Sequence, residues 1–268
     1  MINSLVSILI PTYNSMNFIE KTLKSCMNQD YENFEIVVSD DCSKDETYKY
    51  LLEMSKKNER LRVMRNDRNL GSLRNFNKLI DEAKGEFLKF LGSDDEIFPN
   101  FISNAINELS KIDFKKNFFV SPELIPTTKR LEIVREKHLN GILKSSELFR
   151  ELVKKGNWIG GPSAILIHKE LIGESRFNTL YPSAFDLDLY LTLGRQYGAI
   201  IGEKPLYRVG IHDKQDSRIF EKGQFSQETI RILISRENRS NVNHFTNFRV
   251  ILKNLIEYLY VRIIKSTF

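Results

Sequence analysis

The first 110 residues alternate between two hydrophobic patterns. Short apolar runs, of the length typical of buried strands, cover residues 5–10, 34–38, 61–64 and 87–91. Segments with apolar residues every three or four positions, typical of helices, cover residues 17–27, 45–55, 71–83 and 98–109. Such alternation predicts right-handed βαβ units. The sequence therefore predicts an α/β fold with a mostly parallel central sheet flanked by helices.

The second half of the chain is less regular. Patterns there predict two helices and two strands, at 145–154, 188–196, 164–167 and 199–201. No linker of altered composition divides the chain. We therefore predict one composite domain, with a first half at 1–120 and a second half at 121–222, followed by a helical tail at 223–268.

Composition excludes several classes of protein. A chain of 268 residues with 41% hydrophobic content can bury a large core. The net charge of +5 is too mild for a dedicated nucleic-acid binder, so no nucleic-acid partner is expected. Cys26 and Cys42 lack the spacing of a metal site and are expected to stay reduced. The apolar start of the chain is shorter than a membrane span and has no charged leader. These features predict a cytoplasmic protein.

Polar residues follow each of the predicted parallel strands. They form four groups: Pro11-Thr12-Tyr13-Asn14, Asp40-Asp41, Asn66-Asp67 and Asp94-Asp95. The carboxyl ends of parallel strands lie at one edge of a sheet, where ligands of such folds bind. The four groups are therefore expected to form one site.

The adjacent carboxylates of Asp94 and Asp95 indicate the chemistry of that site. They repel each other, so burying them requires a cation or strong hydrogen-bond donors. Oxygen ligands suit Mg²⁺ or Mn²⁺, and Mg²⁺ usually binds substrate phosphates as well. A nucleotide-diphosphate site is one interpretation. The other is a solvated acidic turn that caps the helix starting near Pro99.

Four motifs together resemble one family. Residues 6–14, 35–47, 69–71 and 93–95 are similar, in order and spacing, to the family 2 nucleotide-sugar glycosyltransferases. The resemblance covers about the first 110 residues. It implies a GT-A fold, a nucleotide-diphosphate sugar donor, a Mn²⁺ or Mg²⁺ cofactor and inversion at the anomeric carbon. It makes 1–120 the nucleotide-sugar-binding half and 121–222 the acceptor-binding half.

The resemblance also assigns roles. It places six residues at the nucleotide sugar: Pro11, Thr12, Tyr13, Asp40, Arg74 and Asp94. Tyr13 would stack on the base, and Asp40 would bind the base edge, usually uracil. Arg74 would approach the nucleotide or its phosphates, and Asp94 would hold the ribose or donor sugar. Asp95 would ligate the metal. For Tyr13 the structural alternative is a partly buried tyrosine in a turn, and for Arg74 it is a solvated cation on the face of a helix.

Two positions near these motifs depart from the family pattern. Gly92 replaces an acid that is common in the family, and Cys42 stands where glycine is common. Both acids most needed for metal and sugar remain. A departure at Gly92 nevertheless leaves room for an alternative, a catalytically inactive nucleotide- or sugar-binding module.

The catalytic base is expected in the second half. Residues 184–191 resemble a family segment in which an acid pair precedes a helix, and Asp186 takes the place of the base. Phe185 stands where glutamate is common. A base must accept the proton of the acceptor hydroxyl as that oxygen attacks the anomeric carbon. The alternative is that Asp186 or Asp188 only caps the helix.

Two further residues are candidates. His212 resembles a family histidine that touches the metal or the diphosphate, although a lone histidine in a loop is also often structural. Trp158, next to two glycines, offers a flat apolar face to an acceptor sugar, or else a core contact in a tight turn.

The predicted function is transfer of a sugar, most often from UDP, to a glycan or lipid-linked acceptor of a surface polysaccharide. Residues 248–265 are apolar at helical spacing with four cations. This helix would contact the inner face of the plasma membrane, the domain itself or a second subunit. A nicotinamide-dependent oxidoreductase is disfavoured, because residues 11–17 contain no glycine and so lack the Gly-x-Gly-x-x-Gly motif.

Overall fold

The computed structural model describes residues 3–126, 131–134, 141–212 and 227–232. The strands are β1 (Val6–Thr12), β2 (Phe34–Asp40), β3 (Leu61–Arg65), β4 (Phe87–Phe90), β5 (Glu96–Ile97), β6 (Asn117–Val120), β7 (Glu123–Pro126), β8 (Leu131–Val134), β9 (Gly141–Leu143), β10 (Ile165–His168), β11 (Gly198–Ile201) and β12 (Tyr207–Arg208). The helices are α1 (Ile19–Met27), α2 (Thr47–Ser55), α3 (Ser72–Glu82), α4 (Phe101–Ser110), α5 (Ser145–Lys155), α6 (Lys169–Ile172) and α7 (Phe185–Gly194). A 3₁₀ turn covers Pro162–Ala164.

An eight-stranded sheet forms the centre of the molecule, in the order β3-β2-β1-β4-β10-β6-β11-β9. Strands β3, β2, β1 and β4 are parallel, and β6 is parallel to β11, whereas β10 and β9 run antiparallel to their neighbours. The prediction of an α/β fold with a mostly parallel central sheet flanked by helices is confirmed. The parts of the chain before and after residue 120 both contribute strands to this sheet.

Burial explains why the first strands were predictable. Every residue of β1 is buried, and β2 is buried at all but one position. Strands covered on both faces read as continuous apolar runs. Helix α3 packs against β1 and β2 through a stripe of buried side chains, at Leu73, Phe76, Leu79 and Ile80. The strand order reverses between β1 and β4, which places a crevice beyond their carboxyl ends.

A second sheet, in the order β5-β12-β7-β8, was not predicted. Its strands have only two to four residues, too few for a hydrophobic pattern. Strand β12 pairs with both β5 and β7, with Tyr207 opposite Ile97 on one side and Glu123 on the other. The chain that follows β12 therefore runs past the loop between β4 and β5.

Helix α7 begins at Phe185, three residues earlier than predicted. Asp186 therefore lies inside the first turn. Asp188 also lies in the first turn of α7, where a carboxylate interacts favourably with the helix dipole, and it is buried and accepts a hydrogen bond from Asn178 (3.3 Å). The amides of Ser183 and Ala184, just before the helix, donate to the carboxylate of Glu228 (2.8 and 3.1 Å).

Little of the predicted tail belongs to the described part of the chain. Residues 227–232 are helical, whereas residues 248–265, to which membrane contact was assigned, lie outside the described residues. Among the helices that the structure describes, none has the length and apolar character needed to cross a membrane.

Candidate functional site

The loops after β1, β2 and β4 are joined by hydrogen bonds. The backbone amides of Asn14 and Ser15 donate to the hydroxyls of Ser43 and Thr47, both at 2.9 Å. The hydroxyls of Ser15 and Ser93 lie 2.8 Å apart. These bonds bring the polar groups that follow three separate strands to one edge of the sheet, as the sequence predicted.

Asp40 ends β2 with an incompletely satisfied carboxylate. Its Oδ2 accepts from the amide of Ser43 (3.1 Å) and faces Nε of Arg65 (3.4 Å). Its Oδ1 is buried, and within the described residues it has no hydrogen-bond partner; the same holds for the hydroxyl of Thr12, the β1 neighbour of Asp40. Buried oxygens without partners are costly, and a ligand with N–H donors would satisfy them.

The residues next to Asp40 differ in their exposure and in the contacts that they make. Pro11 is buried within β1, whereas Tyr13 is 42% exposed at the edge of the site. Asp41 accepts hydrogen bonds from the amides of Leu70 and Gly71, both at 2.8 Å, and so holds the loop that starts α3. Cys42 has a φ of 63°, a conformation that glycine adopts without strain. This conformation explains a preference for glycine at that position.

Asp94 and His212 face each other. Oδ2 of Asp94 lies 3.0 Å from Nε2 of His212, and both side chains are 19% exposed. The imidazole stacks on the ring of Phe18, with centroids 4.1 Å apart and an angle of 18°. The sequence separation of 118 residues is bridged because β12 pairs with β5. The pair offers one oxygen and one nitrogen ligand at the rim of the site.

Asp95 is buried and differs from Asp94 in its surroundings. Its Oδ2 accepts from the hydroxyl of Ser163 (2.5 Å), and its Oδ1 accepts from the amide of Gly210 (2.9 Å). Burial, and secondarily the charge of Asp94, raises the pKa of Asp95 to about 7. The sequence assigned the metal to Asp95, but the structure directs Asp95 to two protein donors and leaves Asp94 beside His212.

Lys89 is an unexpected charge beneath the site. Its side chain is fully buried, and its Nζ donates to the carbonyl of Ser163 and lies 3.8 Å from the ring centroid of Phe101. Burial lowers the pKa of Lys89 to about 7, an effect that the nearby Asp95 opposes. A lysine inside an apolar run was the only signal of this residue in the sequence.

Gly210 allows the chain after β12 to cross the acid pair. A Cβ at this position would overlap the backbone carbonyl of Asp94. We expect Gly210→Ala to displace His212 from Asp94 and to lower the nucleotide-sugar turnover that the family resemblance implies at least about tenfold. Turnover and circular dichroism check this result, with Gly194→Ala, where a Cβ would make only ordinary contacts, as a matched glycine variant. Unchanged turnover in Gly210→Ala would show that the contact is not needed.

Asp186 lies in a second polar cluster, formed by α7 and the loop before the 3₁₀ turn. Its Oδ2 accepts from Nδ2 of Asn157 (2.7 Å), and its Oδ1 from the amide of Leu187 (2.7 Å). Burial, with a smaller contribution from the charge of Glu123, raises the pKa of Asp186 to about 7. Phe185 packs instead against Phe177, with centroids 5.5 Å apart.

Two of the predicted contacts are less defined. Trp158 is partly buried against the core, and its indole N–H is buried without a partner among the described residues. Arg74 is exposed in the first turn of α3 and forms no ion pair with a described residue. Both roles stay predictions.

The sequence did not indicate Glu123, Asn157 and Ser163, because these residues lack a local pattern and are brought to the site by tertiary contacts.

The described residues contain no group of three or more His, Cys, Asp or Glu side chains arranged to hold a metal. Asp94 and His212 form a pair, which suits a cation that takes its other ligands from phosphate oxygens and water. The chemistry of this pair is therefore compatible with Mn²⁺ or Mg²⁺ bound together with a diphosphate.

Comparison with known proteins gives a family match over half of the chain. The description "Glycosyl transferase family 2" matches residues 7–150. An uncharacterized glycosyltransferase of Haemophilus influenzae is 25% identical over 248 residues, 91% of this chain and 75% of that protein. A GalNAc(5)-diNAcBac-PP-undecaprenol beta-1,3-glucosyltransferase of Campylobacter jejuni is 35% identical over 107 residues, 40% of this chain and 35% of that protein.

Solved structures share the fold. S. aureus TarS 1-349 in complex with UDP-GlcNAc gives a TM-score of 0.72 at 18% identity, covering 95% of this chain and 72% of that one. The mannosyltransferase PcManGT from Pyrobaculum calidifontis, in complex with GDP-Man and Mn²⁺, gives a TM-score of 0.69 at 15% identity, covering 97% and 73%. At these identities the similarity shows a shared GT-A architecture.

Proposed function

Because the chain belongs to glycosyl transferase family 2, we propose that it transfers a sugar from a nucleotide-diphosphate donor to a glycan or lipid-linked acceptor. The expected nucleotide of the donor is UDP, and the transfer inverts the anomeric carbon. One observation carries the proposal. The unpartnered oxygen of Asp40 and the pair of Asp94 and His212 lie at the same sheet edge. Related names support the acceptor class, since the Campylobacter protein is named for an undecaprenol-linked substrate.

The donor would lie across the carboxyl ends of β1, β2 and β4. Oδ1 of Asp40 would accept a hydrogen bond from a base N–H, and uracil has such a donor at N3. Thr12 and Pro11 would line the base, and the exposed ring of Tyr13 would stack on it. Arg74, exposed at the start of α3, would approach the phosphates.

We assign the metal to Asp94 and His212 rather than to Asp95. Both oxygens of Asp95 accept protein hydrogen bonds, whereas Asp94 and His212 present ligand atoms to each other near the surface. A Mn²⁺ or Mg²⁺ ion there would neutralise charge that develops on the leaving diphosphate. Asp95 would position this pair, since it holds the amide of Gly210 two residues before His212.

Asp186 would act as the general base. Its Oδ2, oriented by Asn157, would take the proton from the acceptor hydroxyl while that oxygen forms its bond to the anomeric carbon. The bond between the anomeric carbon and the diphosphate oxygen breaks, and its electron pair leaves with the diphosphate. Attack from the face opposite the diphosphate inverts the configuration. Trp158 would contribute an apolar face to the acceptor.

The pKa of Asp186 predicts how activity depends on pH. A base must be deprotonated, so kcat/KM is expected to rise about tenfold per pH unit below pH 7 and to level off above it. A rate profile from pH 5 to 9 at fixed Mn²⁺ checks this expectation. A profile that stays flat down to pH 5 would contradict a base with a raised pKa.

A thermal-shift screen of UDP-, GDP- and dTDP-sugars with and without Mn²⁺ tests the donor proposal. A ligand at a hundred times its dissociation constant stabilises a protein by about 2.7 kcal/mol. We expect stabilisation by a UDP-sugar that increases with Mn²⁺. Stabilisation without turnover would indicate the alternative, an inactive binding module, and the absence of any shift would contradict the donor site.

A further inference from the structure

Glu123, the first residue of β7, is a charged side chain that the proposed reaction does not yet use. Its Oε1 accepts hydrogen bonds from the hydroxyl of Tyr207 (2.7 Å) and the amide of Gly161 (3.1 Å). It is partly buried, and burial raises the pKa of its carboxyl. Burying a carboxylate charge is costly unless the charge is paired or hydrogen-bonded.

Glu123 and Asp186 both accept hydrogen bonds from the loop that precedes the 3₁₀ turn. Asn157 donates from Nδ2 both to Oδ2 of Asp186 (2.7 Å) and to the carbonyl of Gly160 (3.0 Å). The next amide along the loop, that of Gly161, donates to Glu123. The two carboxylates are therefore linked through Asn157 and the adjacent residues Gly160 and Gly161, and the charge of Glu123 contributes to the raised pKa of Asp186.

The loop leaves space for the Glu123 carboxylate. Gly160 has a φ of 97°, and a Cβ at this position would overlap Oε1 and Cδ of Glu123. On the far side of the loop, the hydroxyl of Tyr190 donates to the carbonyl of Gly161 (3.0 Å). Both features fix the loop against Glu123, so that the carboxylate has a defined position.

The hydrogen bonds of Glu123 leave one oxygen over. An ionised carboxylate has about four acceptor positions on two oxygens. Both described donors reach Oε1, and none of the described residues donates to Oε2. Holding Tyr207 and Gly161 requires only one acceptor oxygen, which a glutamine amide would supply without a buried charge. The second oxygen is therefore suited to a ligand that carries hydroxyl donors.

We propose that Glu123 is an acceptor-binding residue, which accepts a hydrogen bond from a hydroxyl next to the one that Asp186 deprotonates. The acceptor is then a sugar unit with free neighbouring hydroxyls. This inference rests on the proposed function, because it assumes that Asp186 is the base of a sugar transfer. It adds a second carboxylate, from a different strand, to the acceptor pocket.

The test measures how the donor sugar is divided between two acceptors. The wild type and Glu123→Gln are incubated with Mn²⁺, the nucleotide sugar that stabilises the wild type most, and a panel of methyl hexosides. The ratio of disaccharide to hydrolysed sugar reports acceptor binding relative to water and is independent of donor affinity. We expect this ratio to fall about five- to tenfold in Glu123→Gln, as for one lost hydrogen bond.

A pH profile supplies a second readout, which tests whether the charge of Glu123 acts on Asp186. Removing the charge of Glu123 should lower the pKa of Asp186, so the acid limb of donor hydrolysis should move to lower pH. Glu108→Gln, a surface change on α4 where Glu108 pairs with Lys111, is the control and should shift neither quantity. Thermal shift with UDP verifies folding of each variant.

The outcomes separate this inference from the proposed function. If the wild type turns over the donor but Glu123→Gln keeps both the product ratio and the pH profile, the role of Glu123 is wrong. The same holds if the wild type hydrolyses the donor but glycosylates none of the hexosides. If the wild type neither binds nor hydrolyses any nucleotide sugar, the proposed function itself fails.

Discussion

Replacement of Asp186 by asparagine is expected to lower the rate of sugar transfer by about 10²- to 10⁴-fold, the range typical of general-base removal. The amide keeps the size of the side chain but cannot accept the proton of the acceptor hydroxyl. Donor binding should be retained, because Asp186 lies with Asn157 and α7 and not at the edge that carries Asp40 and Asp94. Nucleotide release measures turnover, and thermal shift measures donor binding.

Asp188→Asn is the matched control for this variant. Asp188 lies one half-turn further along α7 and is buried beside Asn178. We expect Asp188→Asn to lose less than about tenfold in transfer, because residues two apart in a helix lie on nearly opposite faces. If Asp186→Asn also loses donor binding, Asp186 is a donor ligand or a structural residue and not the base.

The second large effect is expected at Asp94. Asp94→Asn removes the charge that faces His212, so the increase in UDP affinity caused by Mn²⁺ should disappear, a loss of at least about tenfold or 1.4 kcal/mol. Calorimetric titration of UDP with and without Mn²⁺ measures this effect. The melting temperature should change little, because Asp94 lies near the surface.

Asp95→Asn is the informative partner variant. Since both oxygens of Asp95 accept protein hydrogen bonds, this change should lower the free energy of unfolding by about 1–3 kcal/mol. The Mn²⁺ effect on UDP affinity should persist in the folded protein. The reverse pattern, with Mn²⁺ enhancement lost in Asp95→Asn and kept in Asp94→Asn, would restore the metal to Asp95, as the sequence alone suggested.

Much of the central sheet could be predicted from the sequence because β1, β2 and β4 are buried almost throughout and so have continuous apolar sequences. Strand β1 differs from its predicted bounds only at the ends, and β4 by a single residue. Strands β5 and β12 have two residues each, and their pairing depends on neighbours more than 100 residues apart. No local pattern carries such information.

The sequence predicted those site residues that lie at or near the ends of buried strands. Asp40 is the last residue of the buried strand β2, and Asp94 lies four residues after the buried strand β4, so the sequence placed both at the sheet edge. The difference between Asp94 and Asp95 was not, because it depends on Ser163 and Gly210, which reach Asp95 from distant segments. Glu123 gave no signal, since a short strand with one acidic residue is common on protein surfaces.

The start of α2 does not follow the local sequence pattern. Ser43 and Glu46 have the spacing of a capping box. The structure uses the carboxylate of Asp45 instead, which accepts from the amide of Thr47 (3.0 Å). The hydroxyl of Ser43 is taken by the amide of Asn14, a tertiary contact that joins two loops of the site.

The most direct measurement is a proton NMR time course of an α-linked UDP-sugar with the wild-type protein, Mn²⁺ and methyl hexosides. Inverting transfer with Asp186 as the base predicts release of UDP together with a product whose new anomeric proton shows the β configuration. A product with retained α configuration, or an intact donor after prolonged incubation with every nucleotide sugar tried, would contradict the proposed inverting transfer.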